Sequence, residues 1–486
     1  MNAPGSAALL AGLKRRALSL GAVKLFDHAI QLLLPIMLVR LLDTATFGEY
    51  RLLWLVLGTI MTCAPLNMCA TLYYFVPRSE PRRKRLYVHQ TMLYLAVAGA
   101  VCAFLVSPWN PLLPAAVHPL GQYGWLVPAF VVIWLLSHLL EYLPSVNEHI
   151  SWQVYAMLAE STLRVLLVAA GAWFTGELGT ILWLLIVLAL VKLALLVYYV
   201  ARRHGLAPPW FERAAFSEQF RHSAPIGASS ALLGFRGQAD QWVAASLFTV
   251  SSFAAFSIAG LVGRLMLVLR QSVMQAFLPS MSRLQAAGDV HGMLDMNSRG
   301  NVMVARLLYP VLAFVFAFAN EIVTLLYTPS YLEAVPPIRA YVIAMLPLAV
   351  ETGSMVLLLR RGTFALYLTG FTLVLSVALS WTFALRFGLA GAAAGSVVCQ
   401  WLDRVVMLRH LARHTGIALR SLQDWRTLFN ALAFAAASAA LAWVIVERVF
   451  ADRGPLARVA IGATVLALAY AALYIRRFSA RSNPAT

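Results

Sequence analysis

The sequence predicts an all-α integral membrane protein with about fourteen transmembrane helices. Of its 486 residues, 61% are hydrophobic and only 12% are charged, and the mean hydropathy is +0.76. No water-soluble core of this size requires that composition. The apolar residues form runs of about 20 residues rather than short alternating segments, which favours helices over a β-barrel. Helices also satisfy their own backbone hydrogen bonds in lipid.

Each apolar run long enough to cross a bilayer predicts one helix. In chain order the predicted helices span residues 18–41, 50–75, 88–107, 123–144, 153–174, 180–200, 222–247, 252–278, 301–326, 338–359, 363–385, 388–410, 427–446 and 456–475. The first run follows a basic start and continues past Lys24 and Asp27 without a small-residue cleavage site, so we expect an uncleaved first span rather than a signal peptide.

The basic residues between the spans predict the topology. With the N-terminus inside, the cytoplasmic segments carry 23 of the 38 Lys and Arg residues, the outer segments carry 7 and the spans carry 8. This bias follows the positive-inside rule and places both termini in the cytoplasm. It also accounts for the net charge of +18 without a nucleic-acid partner. We therefore expect a multi-pass membrane protein with both termini in the cytoplasm.

The longest break between spans in the first half covers residues 201–222. Pro208 and Pro209 end one helix there, and the sequence FERAAFSEQF predicts a short amphipathic surface helix. The break suggests an N-terminal lobe of helices 1–6 over residues 1–210 and a C-terminal lobe of helices 7–12 over residues 211–412. Residues 413–486 then hold helices 13 and 14 and a cytoplasmic tail.

Helix 1 carries a stripe of polar residues. Lys24, Asp27, His28 and Gln31 recur at i, i+3, i+4 and i+7, so they lie on one face of an apolar helix. Two interpretations remain open. The stripe lines a cavity and contacts substrate, or Lys24 pairs with Asp27 while His28 packs between helices.

Three further spans place charged residues deep in the membrane, where each charge costs roughly 2.5 to 3.5 kcal/mol on insertion scales. Glu160 precedes Arg164 by four residues, which suits either a structural ion pair or a substrate contact. Arg236 and Asp240 follow the same spacing in helix 7. Arg264 in helix 8 has no acidic residue in its own span and is the strongest single candidate for a ligand contact.

The remaining charges within spans have simpler interpretations. Cations near span ends are expected to extend to the cytoplasmic headgroups; these are Lys192, Arg270 and Arg306. Glu141, Glu321 and Glu351 have no evident partner within their own helices, which favours hydrogen-bonded carboxyls between helices. Glu351 is also a candidate ion-coupling residue. Asp403 and Arg404 are adjacent, so we expect each to pair across helices.

Four stretches resemble polysaccharide flippases, the Wzx-type members of the multidrug/oligosaccharidyl-lipid/polysaccharide exporter superfamily. The first stretch runs from Asp240 through LFTVSSFAAFSIAG to FLPSMSRLQAAGD. It is similar to helices seven and eight of that family. The others are VRLLDTATFGEY after the first helix, residues 319–347 and residues 387–411. Together they cover most of the chain in the order found in the family.

The resemblance implies two six-helix lobes in a V that opens alternately to each side, with two added C-terminal helices. It also implies a flippase for undecaprenyl-pyrophosphate-linked oligosaccharide repeat units in the bacterial inner membrane. Such a carrier needs arginine for phosphate and aromatic or amide groups for sugars. The substrate-binding candidates are accordingly Arg264, Arg236, Asp240, Lys24, Asp27, His28, Gln31 and Arg164. Expected partners are the lipid-linked oligosaccharide, the bilayer, and a polysaccharide polymerase with its chain-length regulator.

Other functions remain as alternatives. A lipid II flippase also handles a pyrophosphate lipid, whereas a multidrug exporter of organic cations suits these arginines poorly. A membrane-embedded polymerase or ligase generally needs a large soluble loop, and the longest segment between predicted spans is the 22 residues 201–222. The sequence contains no Gly-rich phosphate loop, metal-ligand cluster or nucleophile triad, so we expect a transporter without a cofactor rather than an enzyme.

Overall fold

The computed structural model describes residue 30 and residues 33–482, except for the side chains of residues 261–269, 272 and 474–482. These residues form helices and turns, with no β-strand among them. The α-helices of six or more residues are α1 (Thr44–Cys63), α2 (Met68–Arg78), α3 (Pro81–Val106), α4 (Leu126–Ser137), α5 (Ile150–Phe174), α6 (Leu178–Arg203), α7 (Arg213–Arg236), α8 (Ala239–Leu247), α9 (Val250–Ala286), α10 (Val290–Ala317), α11 (Ala319–Tyr327), α12 (Val335–Met345), α13 (Gly353–Leu358), α14 (Gly362–Thr415), α15 (Trp425–Val449) and α16 (Pro455–Ser482).

Short helices fill several of the connections. They are one-turn α-helices at His118–Gly121 and Leu143–Val146 and 3₁₀ segments at Ala115–Val117, His138–Glu141, Pro329–Ala334, Leu346–Ala349 and Leu419–Ser421.

The prediction of an all-helical membrane protein is confirmed. Among the described residues, ten helical segments are long and apolar enough to cross a membrane. The predicted count of fourteen is not established, because most of helix 1 lies outside the described residues and helices 7 and 8 are not among the ten. Six predicted spans each correspond to one unbroken helix, namely α3, α5, α6, α9, α15 and α16.

Other predicted spans are interrupted, and each interruption has a local cause. The second divides into α1 and α2 around Pro65 and the left-handed Asn67, whose φ is 62°. The fourth tightens from α4 into the 3₁₀ segment His138–Glu141. Within α14 the chain reverses at Gly388 (φ 62°, ψ −145°), a conformation that only glycine adopts readily. This reversal divides α14 into the two helices predicted at 363–385 and 388–410.

The described chain forms two compact units, residues 1–238 and 239–486. In the first unit, α4 packs between α3 and α6, and α5 packs on α6. Helix α7 lies against α1 and α2, and Gly227 permits this close approach because a Cβ there would overlap the backbone of Leu66. The buried core of this unit contains Leu72, Val88, Leu139 and Leu196 among other apolar residues.

The predicted surface helix FERAAFSEQF is wrong. Its helix begins at Arg213 and continues without a break into the span predicted at residues 222–247, ending at Arg236. Gln219 is fully buried on α7 and bonds Gln90 (2.7 Å), Thr71 (3.0 Å) and Thr91 (2.9 Å). A buried amide needs such partners, so α7 is fixed to α2 and α3 rather than lying on the membrane surface.

In the second unit, α10 packs between α9 and α15, and α16 packs on α15. Helix α14 contacts α8 and α12. Phe318 is fully buried against Ala439, Ala442, Val446 and Leu466, which attaches the two C-terminal helices to this unit.

The N-terminus of α1 offers a test of local stability. Asp43 caps the helix, because its carboxylate accepts hydrogen bonds from the backbone N–H of Ala45 (2.8 Å) and Thr46 (2.9 Å). The bond from Thr46 lowers the pKa of Asp43 below its ordinary value. This contribution is therefore present above an unfolded-state pKa of about 3.9 and is lost as the pH falls through the lower folded-state pKa.

We expect Asp43→Ala to lower the free energy of unfolding by about 1 kcal/mol at neutral pH, because the cap is removed. Asp43→Ser keeps a capping oxygen and should retain most of that stability. Thermal melting of the purified protein at pH 7 measures both effects. Equal melting temperatures for the two variants would contradict the capping role.

Candidate functional site

A buried lysine joins two carboxylates in the first unit. The Nζ of Lys192 on α6 lies 2.7 Å from Glu141 Oε1 and 2.9 Å from Glu160 Oε2, and its side chain is only 4% exposed. Glu141 comes from the 3₁₀ segment after α4, whereas Glu160 comes from the middle of α5. Three separate elements therefore converge on one ammonium group.

The local sequence explains why Glu141 reaches this position. The change from α to 3₁₀ geometry at His138–Glu141 tightens the chain. His138 Nδ1 lies 3.2 Å from Glu141 Oε2, so the histidine contacts the other oxygen of the same carboxylate. The amide of Gln153 on α5 donates to the backbone carbonyl of Glu141 and holds the end of this segment.

A cavity of about 230 Å³ opens beside these groups. Its lining combines aromatic, polar and charged side chains with a few apolar ones: Trp54, Leu57, Gly58, Met61, Trp134, His138, Glu141, Met157, Glu160, Ser161 and Arg164. The rings of Trp54 and Trp134 meet edge to face, with centroids 5.9 Å apart. A cation lies near each ring: Arg164 Cζ is 5.7 Å from the centre of Trp54, and Lys192 Nζ is 4.9 Å from that of Trp134.

The formal charges around this cavity balance. Glu141 and Glu160 contribute two negative charges, while Lys192 and Arg164 contribute two positive charges. Burying charges is costly unless they are paired and hydrogen-bonded, and Lys192 provides that pairing for both carboxylates. The cavity therefore presents donors and acceptors without a net attraction for an organic cation.

The sequence analysis brought only part of this site together. Glu160 and Arg164 line the same cavity, as their spacing suggested, but Glu160 pairs with Lys192 on the neighbouring helix. The prediction that Lys192 extends to the headgroups is wrong, because its ammonium is buried between the two glutamates. Glu141 is a carboxyl satisfied between helices, as predicted, and Glu321 is another, since Arg458 Nη2 lies 2.9 Å from it.

A second buried carboxylate lies in the other unit. Asp240 on α8 is 6% exposed and accepts hydrogen bonds from the hydroxyls of Tyr341 and Ser396, both at 2.7 Å, and from the backbone N–H of Gln241 at 2.8 Å. The prediction that Arg236 and Asp240 lie one turn apart on a continuous helix is wrong. Helix α7 ends at Arg236, two residues intervene, and α8 begins at Ala239.

Glu351 lies where the predicted tenth helix is interrupted, between the 3₁₀ segment Leu346–Ala349 and α13. Its carboxylate accepts hydrogen bonds from the backbone N–H of Gly353 (2.6 Å) and of Ser354 (3.1 Å), and its side chain is buried. Its backbone N–H donates to Asn301 and its carbonyl accepts from Asn297. Glu351 thus caps α13, and a role in ion coupling stays a prediction.

The remaining candidates lie partly or wholly outside the described residues, apart from Arg404. Arg264 lies on α9, and its side chain is outside the described residues. Lys24, Asp27, His28 and Gln31 also lie outside the described residues. Arg404 is buried on α14, where its Nη1 donates to Thr352 Oγ1 at 2.7 Å.

Comparison with known proteins places this geometry in context. Residues 145–336 match the sequence model of a family described as "Polysaccharide biosynthesis protein". The fold is similar to the lipid II flippase MurJ in an inward closed conformation, with a TM-score of 0.72, 11% identity, and coverage of 94% of this chain and 99% of MurJ. No curated protein sequence matches the chain.

An inward-facing multidrug resistance MATE family transporter of the MOP superfamily is also similar, with a TM-score of 0.62 and 15% identity. That match covers 82% of this chain and 95% of the transporter. The chain therefore has the fold shared by MurJ and this MATE family transporter. The predicted exporter fold is confirmed, and the matched structures are transporters, which agrees with the prediction of a transporter rather than an enzyme.

The sequence did not predict three residues at these sites. His138 contacts Glu141, and Tyr341 and Ser396 bond Asp240. The signal available for Lys192 was its position in the middle of the apolar run LLIVLALVKLALL. A lysine so far from both ends of a span more often pairs inside a bundle than reaches the surface.

Removing the lysine tests the charge pairing. We expect Lys192→Met to lower the free energy of unfolding by about 3 kcal/mol, the lower end for breaking a buried ion pair, since it removes the cation shared by two partly buried carboxylates. Adding Glu141→Gln and Glu160→Gln to that variant should recover most of the loss. Arg299→Met is a matched control, because its ion pair with Asp295 is exposed and should contribute at most about 1 kcal/mol. Thermal melting that shows no recovery in the triple variant would contradict the pairing.

A double-mutant cycle tests the Asp240 cluster. Tyr341→Phe removes one hydrogen bond to a carboxylate and should cost about 1.5 to 3 kcal/mol of stability. The same substitution should cost less than half as much in an Asp240→Asn background, because the charged acceptor is already absent. Equal costs in the two backgrounds would show that the Tyr341 hydroxyl does not stabilise Asp240.

Proposed function

We propose that the protein is a flippase that moves undecaprenyl-pyrophosphate-linked oligosaccharide repeat units across the bacterial inner membrane by alternating access, for surface polysaccharide biosynthesis. The charge-balanced, tryptophan-lined cavity of the first unit carries this proposal. The match to a polysaccharide biosynthesis family supports it, since residues 145–336 include Glu160, Arg164 and Lys192.

The chemistry of the cavity suits a sugar. A sugar has many hydroxyl groups that donate and accept hydrogen bonds, and it has apolar ring faces that pack on aromatic rings. Glu160 and Ser161 provide acceptors, Arg164 provides donors, and Trp54 provides an aromatic surface. At about 230 Å³ the cavity is smaller than the roughly 300 to 1,000 Å³ typical of sites for drug-sized ligands, so it holds one sugar residue of a longer chain.

The same cavity disfavours export of organic cations. An exporter of cations benefits from carboxylates that lack a fixed counterion, whereas Lys192 already neutralises charge on both Glu141 and Glu160. The pyrophosphate needs separate cationic contacts, for which Arg236 and Arg264 stay candidates. Glu351 stays the candidate for ion coupling. A polymerase and a chain-length regulator remain the proposed partners.

A lipid II flippase is the second candidate function, favoured by the similarity to MurJ across 94% of this chain. Rescue of peptidoglycan synthesis in a host depleted of its own lipid II flippase distinguishes the two. Growth restored by this protein, with surface polysaccharide unaffected by its deletion, would favour the second candidate.

The leaflet distribution of lipid-linked repeat units tests the proposed flippase. In a deletion strain we expect repeat units to accumulate facing the cytoplasm, and the wild-type gene should restore their export. Arg164→Ala should lower the export rate at least tenfold at equal protein level, and Arg164→Lys should recover part of it. Arg413→Ala is a matched control, because this arginine is exposed in the second unit and should behave as wild type.

Two results would overturn the proposal. Repeat units that face outward normally in the deletion strain would place the protein after translocation, in polymerisation or ligation. Sugar transfer by the purified protein alone would make it an enzyme.

A further inference from the structure

The basic segment at the start of α3 contacts the linker between α6 and α7. The segment before and within the first turn of α3 reads RSEPRRKR (78–85), and the linker between α6 and α7 spans residues 204–212. Arg85 Nη1 lies 3.5 Å from the carbonyl oxygen of Ala207. A Cβ on Gly205 would lie 3.9 Å from the Arg85 guanidinium. The two segments therefore lie on the same side of the membrane, which the charge count predicts to be the cytoplasmic side.

A buried histidine fixes the linker in place. His89 on α3 is fully buried, and its two ring nitrogens lie 2.9 Å from the carbonyl oxygen of Gly205 and 3.2 Å from that of Pro209. Its ring stacks on Trp210, with centroids 4.2 Å apart and planes at 16°. Trp210 is thus held in one position, although it is 42% exposed.

The resulting surface combines cations with exposed apolar side chains. We call it the basic-aromatic patch and define it by Arg82, Arg83, Lys84, Arg202, Arg203, Leu206, Trp210, Phe211 and Arg213. Leu206 is 44% exposed and Phe211 is 50% exposed. The nearby carboxylates Glu80, Glu212 and Glu218 are too few to neutralise the six cations.

Among the described residues, three cations of this patch, Arg82, Arg83 and Lys84, form no ion pair that would stabilise the fold. Arg82, Arg83 and Lys84 occupy the first turn of α3, which contains no acidic residue. Cations are unfavourable at a helix N-terminus, where the backbone dipole is positive. None of the three forms an ion pair with a described carboxylate. Burial lowers the pKa of His204 to about 4, and His89, Lys84, Arg203 and Arg85 act in the same direction, as expected where positive charge is concentrated.

We propose that the basic-aromatic patch binds the headgroups of anionic phospholipids in the cytoplasmic leaflet. The arginines and Lys84 contact the phosphates, while Trp210 and Phe211 lie at the boundary between headgroups and acyl chains. Juxtamembrane cations are attracted to anionic lipid, and tryptophan favours that boundary because its ring is amphipathic. This surface is separate from the cavity of the first unit and does not depend on the transported substrate.

Lipid titration of the purified protein in nanodiscs or detergent tests the patch. Phosphatidylglycerol should bind the wild type more tightly than phosphatidylcholine, and the difference should shrink as salt increases. The triple variant Arg82→Gln/Arg83→Gln/Lys84→Gln should lose about tenfold or more in affinity for phosphatidylglycerol, given the contribution of each cation near a membrane surface. Trp210→Ala should weaken binding of both lipids, because it removes an apolar contact.

A matched triple variant in the second unit serves as the control. Arg409→Gln/Arg413→Gln/Arg420→Gln removes the same charge from exposed positions and should leave affinity within twofold of wild type. All six substituted side chains are exposed except that of Lys84, which is partly exposed, so melting in phosphatidylcholine should match wild type and confirm folding.

Three results would overturn the proposal. Equal binding of the two lipids would remove the charge preference, and an equal loss in both triple variants would make the effect one of net charge. Displacement of phosphatidylglycerol by micromolar inorganic diphosphate would identify the patch as a diphosphate site instead of a lipid surface.

Discussion

The pairing of one buried lysine with two carboxylates holds three elements of the first unit together. Lys192 links α6 to the end of α4 and to α5, and no two of these elements can move apart without exposing a charge to low dielectric. An ion pair of this kind contributes less to stability than its Coulomb energy suggests, because both partners lose water. Its larger effect is to define which arrangement of the three elements is allowed.

Asp240 in the second unit is satisfied differently from the carboxylates that contact Lys192. It is surrounded by neutral donors, and none of the described cations contacts it. Its carboxyl group is therefore satisfied by hydrogen bonds alone. The two sites thus differ: the cavity of the first unit pairs its carboxylates with cations, whereas Asp240 has only neutral donors. The balanced cavity suits a neutral, hydroxyl-rich ligand, which agrees with the proposed sugar.

Helix interruptions position most of these groups. Glu141 reaches Lys192 because its segment is 3₁₀ rather than α-helical, and Asp240 lies at the start of a new helix. At the third interruption, the side chains of Asn297 and Asn301 bond the free backbone groups of Glu351, while the Glu351 carboxylate caps α13. Broken helices are tolerated in membranes only when side chains satisfy the exposed backbone, and these amides meet that requirement.

The sequence was sufficient for the helical class and most span positions, because hydrophobic run length is a local property, and the resemblance to the flippases supplied the exporter fold. It was insufficient for the interruptions and the long-range pairs. The spacing of Glu160 and Arg164, four residues apart, can be read from a single sequence. The contact between Glu160 and Lys192 cannot, because Lys192 is 32 positions further along and becomes adjacent only when α5 and α6 pack. The surface helix predicted at residues 211–220 failed for the same reason. Its amphipathic pattern is real, but Gln219 lies on the buried face beside Ala215 and Phe220, and its partners on α2 and α3 become visible only in the folded chain. An amphipathic pattern identifies two faces of a helix, and the tertiary fold decides whether the inner face meets lipid or the side chains of neighbouring helices.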